Sequence, residues 1–404
     1  MLAGLVYRHG IAGLWFDLAG ALGLALLGLF LAGRVRREAA VTLPEIVGRA
    51  YGPAARWWAA LLVLVSEIVW FALLTEATQI VLTAAVGIAP TRALVLSTAV
   101  FVLYTWLGGQ FAVVRTDLVQ YGLMVIGIPG VALVCALSGA GGLSGLPPEA
   151  WSFPTSAMLG WRDILGWLVL VGLPHLVGSD VYAKLLSCRD EETARRSALY
   201  AAVSKVVFGF AVAAIALAAR KALPPVASSD VLPSAVLAFA PPALSAFVLV
   251  ALVATMQSSA DVVLLSASAV TARDLVPPLA GRPLPLAAAR ALTPLFGALG
   301  LAVALAMGRD VLETLKLGYS IFAAGLILPV LAALLPGRPR VPKSGAIAAM
   351  IAGGAVAAAG RLLPALGSLG DPVLLGTGLN LAILLGSASL GRPSRGSSPI
   401  MPTR

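Results

Sequence analysis

Charge is scarce in this chain. Of 404 residues only 11% are Asp, Glu, Lys or Arg, and 59% are hydrophobic; an ordinary soluble domain carries about 25% charged residues. Mean hydropathy is +0.96, which excludes a soluble globular body. Histidine is almost lacking: His9 and His175 are the two present, so a multi-histidine metal site is excluded. The two cysteines offer neither a disulfide framework nor metal-ligand spacing, since Cys135 falls in an apolar run and Cys188 in a polar loop. With no paired histidines and no nucleophile elbow, nothing marks a membrane enzyme. The N-terminus lacks a basic stretch followed by a short apolar core and a cleavage site, so no removable signal peptide is read. Net charge is +10, but the basic residues lie in loops between apolar runs, which is membrane topology and not a nucleic-acid footprint.

What is abundant is apolar runs, with 42 Gly and 27 Pro among them, a content suited to helices that pack closely or break within lipid. Eleven spans are expected, at about 11–33, 56–87, 92–107, 117–138, 157–178, 197–219, 242–272, 285–307, 310–335, 344–362 and 372–390, so the chain reads as one all-α polytopic membrane body over 1–404. Alternate loops differ sharply in charge. Nineteen of the 28 basic residues, among them Arg34, Arg36, Arg37, Arg56, Lys184, Arg195, Arg273, Arg340, Lys343 and Arg392, lie in one set, and seven (Arg8, Arg92, Arg162, Arg220, Lys221, Arg309, Arg361) in the other. Lys205 and Lys316 lie inside spans. The positive-inside rule puts the C-terminal tail 391–404 in the cytoplasm and the N-terminus outside a cytoplasmic membrane. That orientation asks the first ten residues to cross unaided, and the simplest reading is a chain that begins one helix late.

The most informative stretch is 242–275, where the apolar run is interrupted by Met256-Gln257-Ser258-Ser259-Ala260-Asp261 and resumes from Val262. Two hydroxyls, an amide and a carboxyl inside a helix of about 45 Å require partners: other helices, water or an ion. For Ser258 or Ser259 alone, back-bonding to a carbonyl one turn earlier is an equal alternative. Glu67 and Glu76, nine residues apart, fall on opposite faces of the second span, Glu67 deep and Glu76 nearer the outer surface. A deep carboxylate is a functional candidate or the hydrogen-bonded partner of a neighbouring helix. Pro174-His175, followed by Gly178-Ser179-Asp180, marks a break or an exit kink in the fifth span, and Gly318-Tyr319-Ser320 a weaker polar patch in the ninth. The tryptophans at 57, 58, 106, 151, 161 and 167 read as interface anchors.

Three segments resemble the sodium:solute symporter family: YTWLGGQFAVVRTDLVQ at 104–120, DEETARRSAL at 190–199 and MQSSADVVLLSASAVTARDL at 256–275. GLWFDLAGALG (13–23) and TLPEIVGRAYG (42–52) fit it as well. Gln110 departs from the family's apolar residue after the Gly pair, and Gln257 shifts the register of the hydroxyls by one if it is an insertion. The resemblance implies an inverted repeat of five plus five helices, with 11–138 the remainder of the first repeat, 157–335 the second, and 344–390 two additional helices. The first core helix would then be missing. It implies sodium ligands at Thr255 (carbonyl), Ser258 and Ser259 (hydroxyls), and an ion-exit or coupling carboxylate at Asp117, which could equally cap the fourth span. Weak solute candidates are Glu67, Tyr319 and Ser320. No metal beyond sodium and no cofactor are expected. The function implied is sodium-coupled symport of a small organic solute. Proton coupling, a sensor role, or an inactive chain with half its ion site are the alternatives.

Overall fold

The computed structural model describes residues 1–282, 284–308, 310–335, 341–363 and 370–390, apart from the side chains of 110–112, 114, 279 and 390. The Gln110 side chain, Arg309, Arg338, Arg340 and the tail 391–404 with Arg392 lie outside this description. Among the described residues, eleven helices are long and apolar enough to cross a membrane. They are α1 (Leu2–Arg37), α2 (Pro53–Val86), α3 (Pro90–Gly109), α4 (Arg115–Gly139), α5 (Trp161–Leu186), α6 (Glu191–Ala222), α7 (Pro242–Leu275), α8 (Leu286–Met307), α9 (Val311–Leu334), α10 (Lys343–Leu362) and α11 (Pro372–Ser389). Each answers to one expected span.

Starts and stops follow local chemistry. Proline opens α2, α3 and α7, where its missing N–H is not needed. Asp190 caps α6 through the Thr193 amide at 2.7 Å, and Asp310 caps α9 through the amides of Leu312 and Glu313. Gly109, at φ 61 and ψ −173, turns the chain between α3 and α4 in a conformation that disfavours a side chain.

Four of the five π-helical turns among the described residues share a cause; the fifth, at Leu27–Leu31, has no proline near it. π-Helical turns at Leu168–Gly172, Thr271–Leu275 and Ala323–Ile327 each end two residues before a proline (Pro174, Pro277, Pro329), and the turn at Ile126–Ala132 contains Pro129. A proline cannot return a hydrogen bond to the carbonyl four residues back, and the widened turn absorbs the mismatch. The fifth span differs from expectation here. Its helix continues past Pro174-His175 and breaks at Gly178, whose extended ψ of 138 starts a new helix at Ser179–Leu186. Pro174 lies inside this continuous helix, and the π-helical turn Leu168–Gly172 before it accommodates the missing hydrogen bond.

At the other extreme, α1 is not one rod. Residues Leu2–His9 form a separate helix, buried at Ala3–Val6 and joined by a 3₁₀ turn at Gly10–Leu14 to the helix that starts at Trp15. The chain reverses there: a Cβ on Gly13 would lie 2.6 Å from the Leu5 carbonyl carbon. Hydropathy alone placed the first span at 11–33, because the turn interrupts the apolar period.

The long spans α2 and α7 pack against each other at the centre, and α2 also meets α3, α8 and α9. Burial on all sides explains why Glu67 (5% exposed) and Glu76 (1%) are both buried although they lie on opposite faces. Glu76 is inside the bundle, its carboxylate accepting from Thr314 Oγ1, near the start of α9, at 3.2 Å. The basic residues collect at one end of the bundle as expected: Arg37 pairs with Glu191 at 2.6 Å, Arg56 with Asp274 at 2.5 Å, and Arg36 donates to the Cys188 carbonyl. Of the expected anchors, Trp106, Trp151 and Trp161 are exposed, whereas Trp57, Trp58 and Trp167 pack against the core.

Candidate functional site

The polar interruption of α7 is where helices exchange hydrogen bonds. Ser258 Oγ donates to Asp117 Oδ1 of α4 at 2.6 Å, and Lys184, near the end of α5, lies 3.7 Å from the other Asp117 oxygen. Asp117 therefore bridges three helices, and its described contacts are tertiary. One turn along α7, Asp261 is fully buried; its Oδ1 accepts from Thr105 of α3 at 2.6 Å, and its Oδ2 has no hydrogen-bond partner among the described residues. Thr255 returns its hydroxyl to Ala251 O, the back-bond open to any helical threonine. Ser259 is half-buried, as Ser258 is.

This donor set consists of oxygen alone, which suits a hard cation. Ser258 has one hydrogen, and it is committed to Asp117; both hydroxyl lone pairs stay free to accept a cation. A cavity of about 660 Å³ opens beside this face, between α1, α4, α6 and α7, with Thr255, Met256, Tyr121, Ser204, Asp17 and Lys205 in its wall. Asp17 and Lys205 form an ion pair at 2.6 Å.

A second polar cluster lies further along α7. Ser266 Oγ donates to Glu67 Oε1 at 2.8 Å, and Ser179, at the start of the helix after the Gly178 break, lies 3.1 Å from Ser266. Glu67, Ser179, Asp180, Tyr319 and Trp70 line a small void of about 40 Å³. Tyr319 stacks on Trp70 with ring centres 4.8 Å apart. The weak candidates Glu67 and Tyr319 thus share one void. Ser320 does not join them: it is fully buried and receives Arg361 Nε from α10 at 3.3 Å, because consecutive helical residues point about 100° apart.

The sequence reading singled out Asp180 and Asp261 without giving either a role, and it did not connect Asp17, Ser266 or Lys205 with these clusters. A signal existed for one pair. Asp17 is a lone acid in its apolar run and Lys205 a lone base in another, and isolated opposite charges inside lipid seek each other.

Comparison with known proteins adds family and fold. Residues 2–353 match the family model described as "Sodium:solute symporter family". The chain is 26% identical over 295 residues to the high-affinity choline transporter 1 of Caenorhabditis elegans, covering 67% of this chain and 50% of that protein. It is 25% identical over 296 residues to the sodium/pantothenate symporter of Haemophilus influenzae, covering 67% and 59%. This chain therefore spans about half the length of the curated relatives it matches. Among solved structures, a Na⁺-coupled sialic acid symporter in a substrate-bound outward-open state superposes with TM-score 0.78 at 18% identity, over 97% of this chain and 86% of that one. A nucleobase-cation-symport-1 family transporter in a closed conformation gives 0.57 at 14% identity, over 96% and 89%. The fold is thus the five-plus-five inverted-repeat transporter fold. With its motifs, its eleven spans and a family match over most of its length, the chain belongs to the sodium:solute symporter family.

Proposed function

We propose that this chain carries out sodium-coupled symport of a small organic solute by alternating access, with sodium held at Thr255, Ser258 and Ser259 and passed inward by way of Asp117. The observation that carries this is the Ser258–Asp117 hydrogen bond: the hydroxyl expected to hold the ion touches the carboxylate expected to release it. A carboxylate so placed attracts a cation, and Lys184 beside it offers a competing charge once the ion leaves. The 660 Å³ cavity gives water and ions a route to Thr255. In this reading 11–138 is the remainder of the first repeat and 157–335 the second, 344–390 is an accessory pair of helices, and the basic end faces the cytoplasm, with the C-terminus on that side. Each sodium entering down a membrane potential contributes about 2.3 kcal/mol per 100 mV, which a coupled solute exploits.

The test is uptake into proteoliposomes under an inward sodium gradient, with radiolabelled choline and pantothenate as first probes because relatives carry those names. Uptake that needs sodium, with a sodium half-saturation raised about tenfold or more in Ser259→Ala, is the expected outcome. Unchanged sodium dependence in that variant removes the ion-site assignment. Uptake driven equally well by a pH gradient without sodium removes sodium coupling.

A further inference from the structure

The bend of α9 leaves backbone groups that its own helix cannot satisfy. Pro329 has no N–H to return to the Gly325 carbonyl, and the π-helical turn Ala323–Ile327 sits just before it. That carbonyl is buried, where an unmet acceptor costs stability. Its partner comes from another helix. Asn380 of α11 is fully buried, and its Nδ2 donates to Gly325 O at 2.9 Å and to Ala324 O at 2.7 Å. The amide nitrogen has two hydrogens, and both are used.

The junction is built for this approach. A Cβ on Gly376 of α11 would stand 2.8 Å from Ala324 Cβ, and one on Gly325 would stand 2.9 Å from Leu62 of α2. On α10, a Cβ on Gly353 would come within 3.0 Å of Asn380 Cβ. The same bend is held from the basic end by Tyr51, whose hydroxyl donates to Pro329 O at 3.1 Å. One turn before the bend, α9 presents its working face. Gly318 O accepts from Ser66, and Tyr319 stacks on Trp70 at the wall of the void beside Glu67 and Asp180.

We propose that Asn380 is a positioning residue: a polar latch from the accessory helix α11 that supplies the hydrogen bond Pro329 cannot, fixes the bend of α9, and so sets Tyr319 against the Glu67 void. The accessory pair α10–α11 then does more than fill lipid-facing space. Any swing of α9 must carry α11 with it or break two buried hydrogen bonds. This inference does not depend on which ion couples transport.

The test uses the purified full chain with Cys135→Ser and Cys188→Ser, and a reporter thiol introduced by Val63→Cys in the wall of the void. A second reporter, Ala198→Cys, lies buried in α6 and records general loosening. With a cationic methanethiosulfonate reagent, Asn380→Leu is expected to speed modification at position 63 about tenfold, or about 1.4 kcal/mol, and to leave position 198 unchanged. In a Pro329→Ala background, the restored backbone N–H serves Gly325, and the effect of Asn380→Leu shrinks to less than about threefold. An unchanged rate at position 63 overturns the proposal. So does equal acceleration at both positions, or an Asn380→Leu effect undiminished by Pro329→Ala. Should Asn380→Leu not fold, Asn380→Gln, which displaces the amide by one methylene, carries the same expectations and the same overturning results.

Discussion

Ser258 Oγ stands 2.6 Å from Asp117 Oδ1, joining α7 to α4 through residues 141 positions apart in the chain. Because one hydrogen serves both groups, they should act as a unit. Ser258→Ala and Asp117→Asn are each expected to raise the sodium half-saturation of transport about tenfold, and the double variant to add little beyond the larger single effect. Sodium titrations of the four proteins form the cycle; additive losses would mean that the two side chains act separately.

The Glu67 cluster makes a stability prediction. Ser266 is 8% exposed and donates to a carboxylate that is 5% exposed. Ser266→Ala removes a buried donor to Glu67, and a loss of about 1–3 kcal/mol is expected. Ser266→Thr, which keeps the hydroxyl, should lose less. Thermal unfolding in detergent measures both.

Asp274 and Arg56 should respond unequally. The Asp274 side chain is fully buried and that of Arg56 is about one-third exposed, at 32%. Arg56→Ala strands a buried carboxylate and is expected to cost about 3–5 kcal/mol, whereas Arg56→Ala with Asp274→Asn should recover a large part of that loss. Chemical denaturation of the three variants decides it, and a double variant no better than Arg56→Ala would count against a stranded charge.

Asp190 offers a pH dependence outside the membrane-spanning helices. Hydrogen bonds from the Thr193 side chain and amide hold its carboxyl below the usual range. A folded value below the unfolded one means that the cap stabilises fully above the unfolded value, about 3.9, and is lost as pH falls through the folded value. The stability gap between wild type and Asp190→Ala should therefore be constant at neutral pH and close below about pH 4. Melting curves across that range are the check; a gap that widens on acidification would contradict the cap.

Much of the architecture was legible in the chain. Hydropathy is a local property, so the eleven runs, the basic end of the bundle and the polar interruption at Ser258–Asp261 could be read one segment at a time. Asp117 and Ser258 could be named together because each lies in a motif. Glu67 and Glu76 could be placed on opposite faces of α2, but that both faces are buried depended on the helices packed around it. Ser320 was grouped with Tyr319 by adjacency, which on a helix separates side chains instead of joining them.

Sequence by itself determined that this chain is a polytopic helical membrane protein, which loops share a side, and where polar atoms interrupt lipid-compatible runs. Tertiary structure decided which of those atoms meet: Glu67 with Ser266, Asp17 with Lys205, Asp261 with Thr105, Asn380 with the α9 bend. The physical reason is range. A helix closes its backbone hydrogen bonds within four residues and announces itself locally, whereas a polar side chain in lipid is satisfied by partners dozens to hundreds of residues away, chosen by how the helices pack.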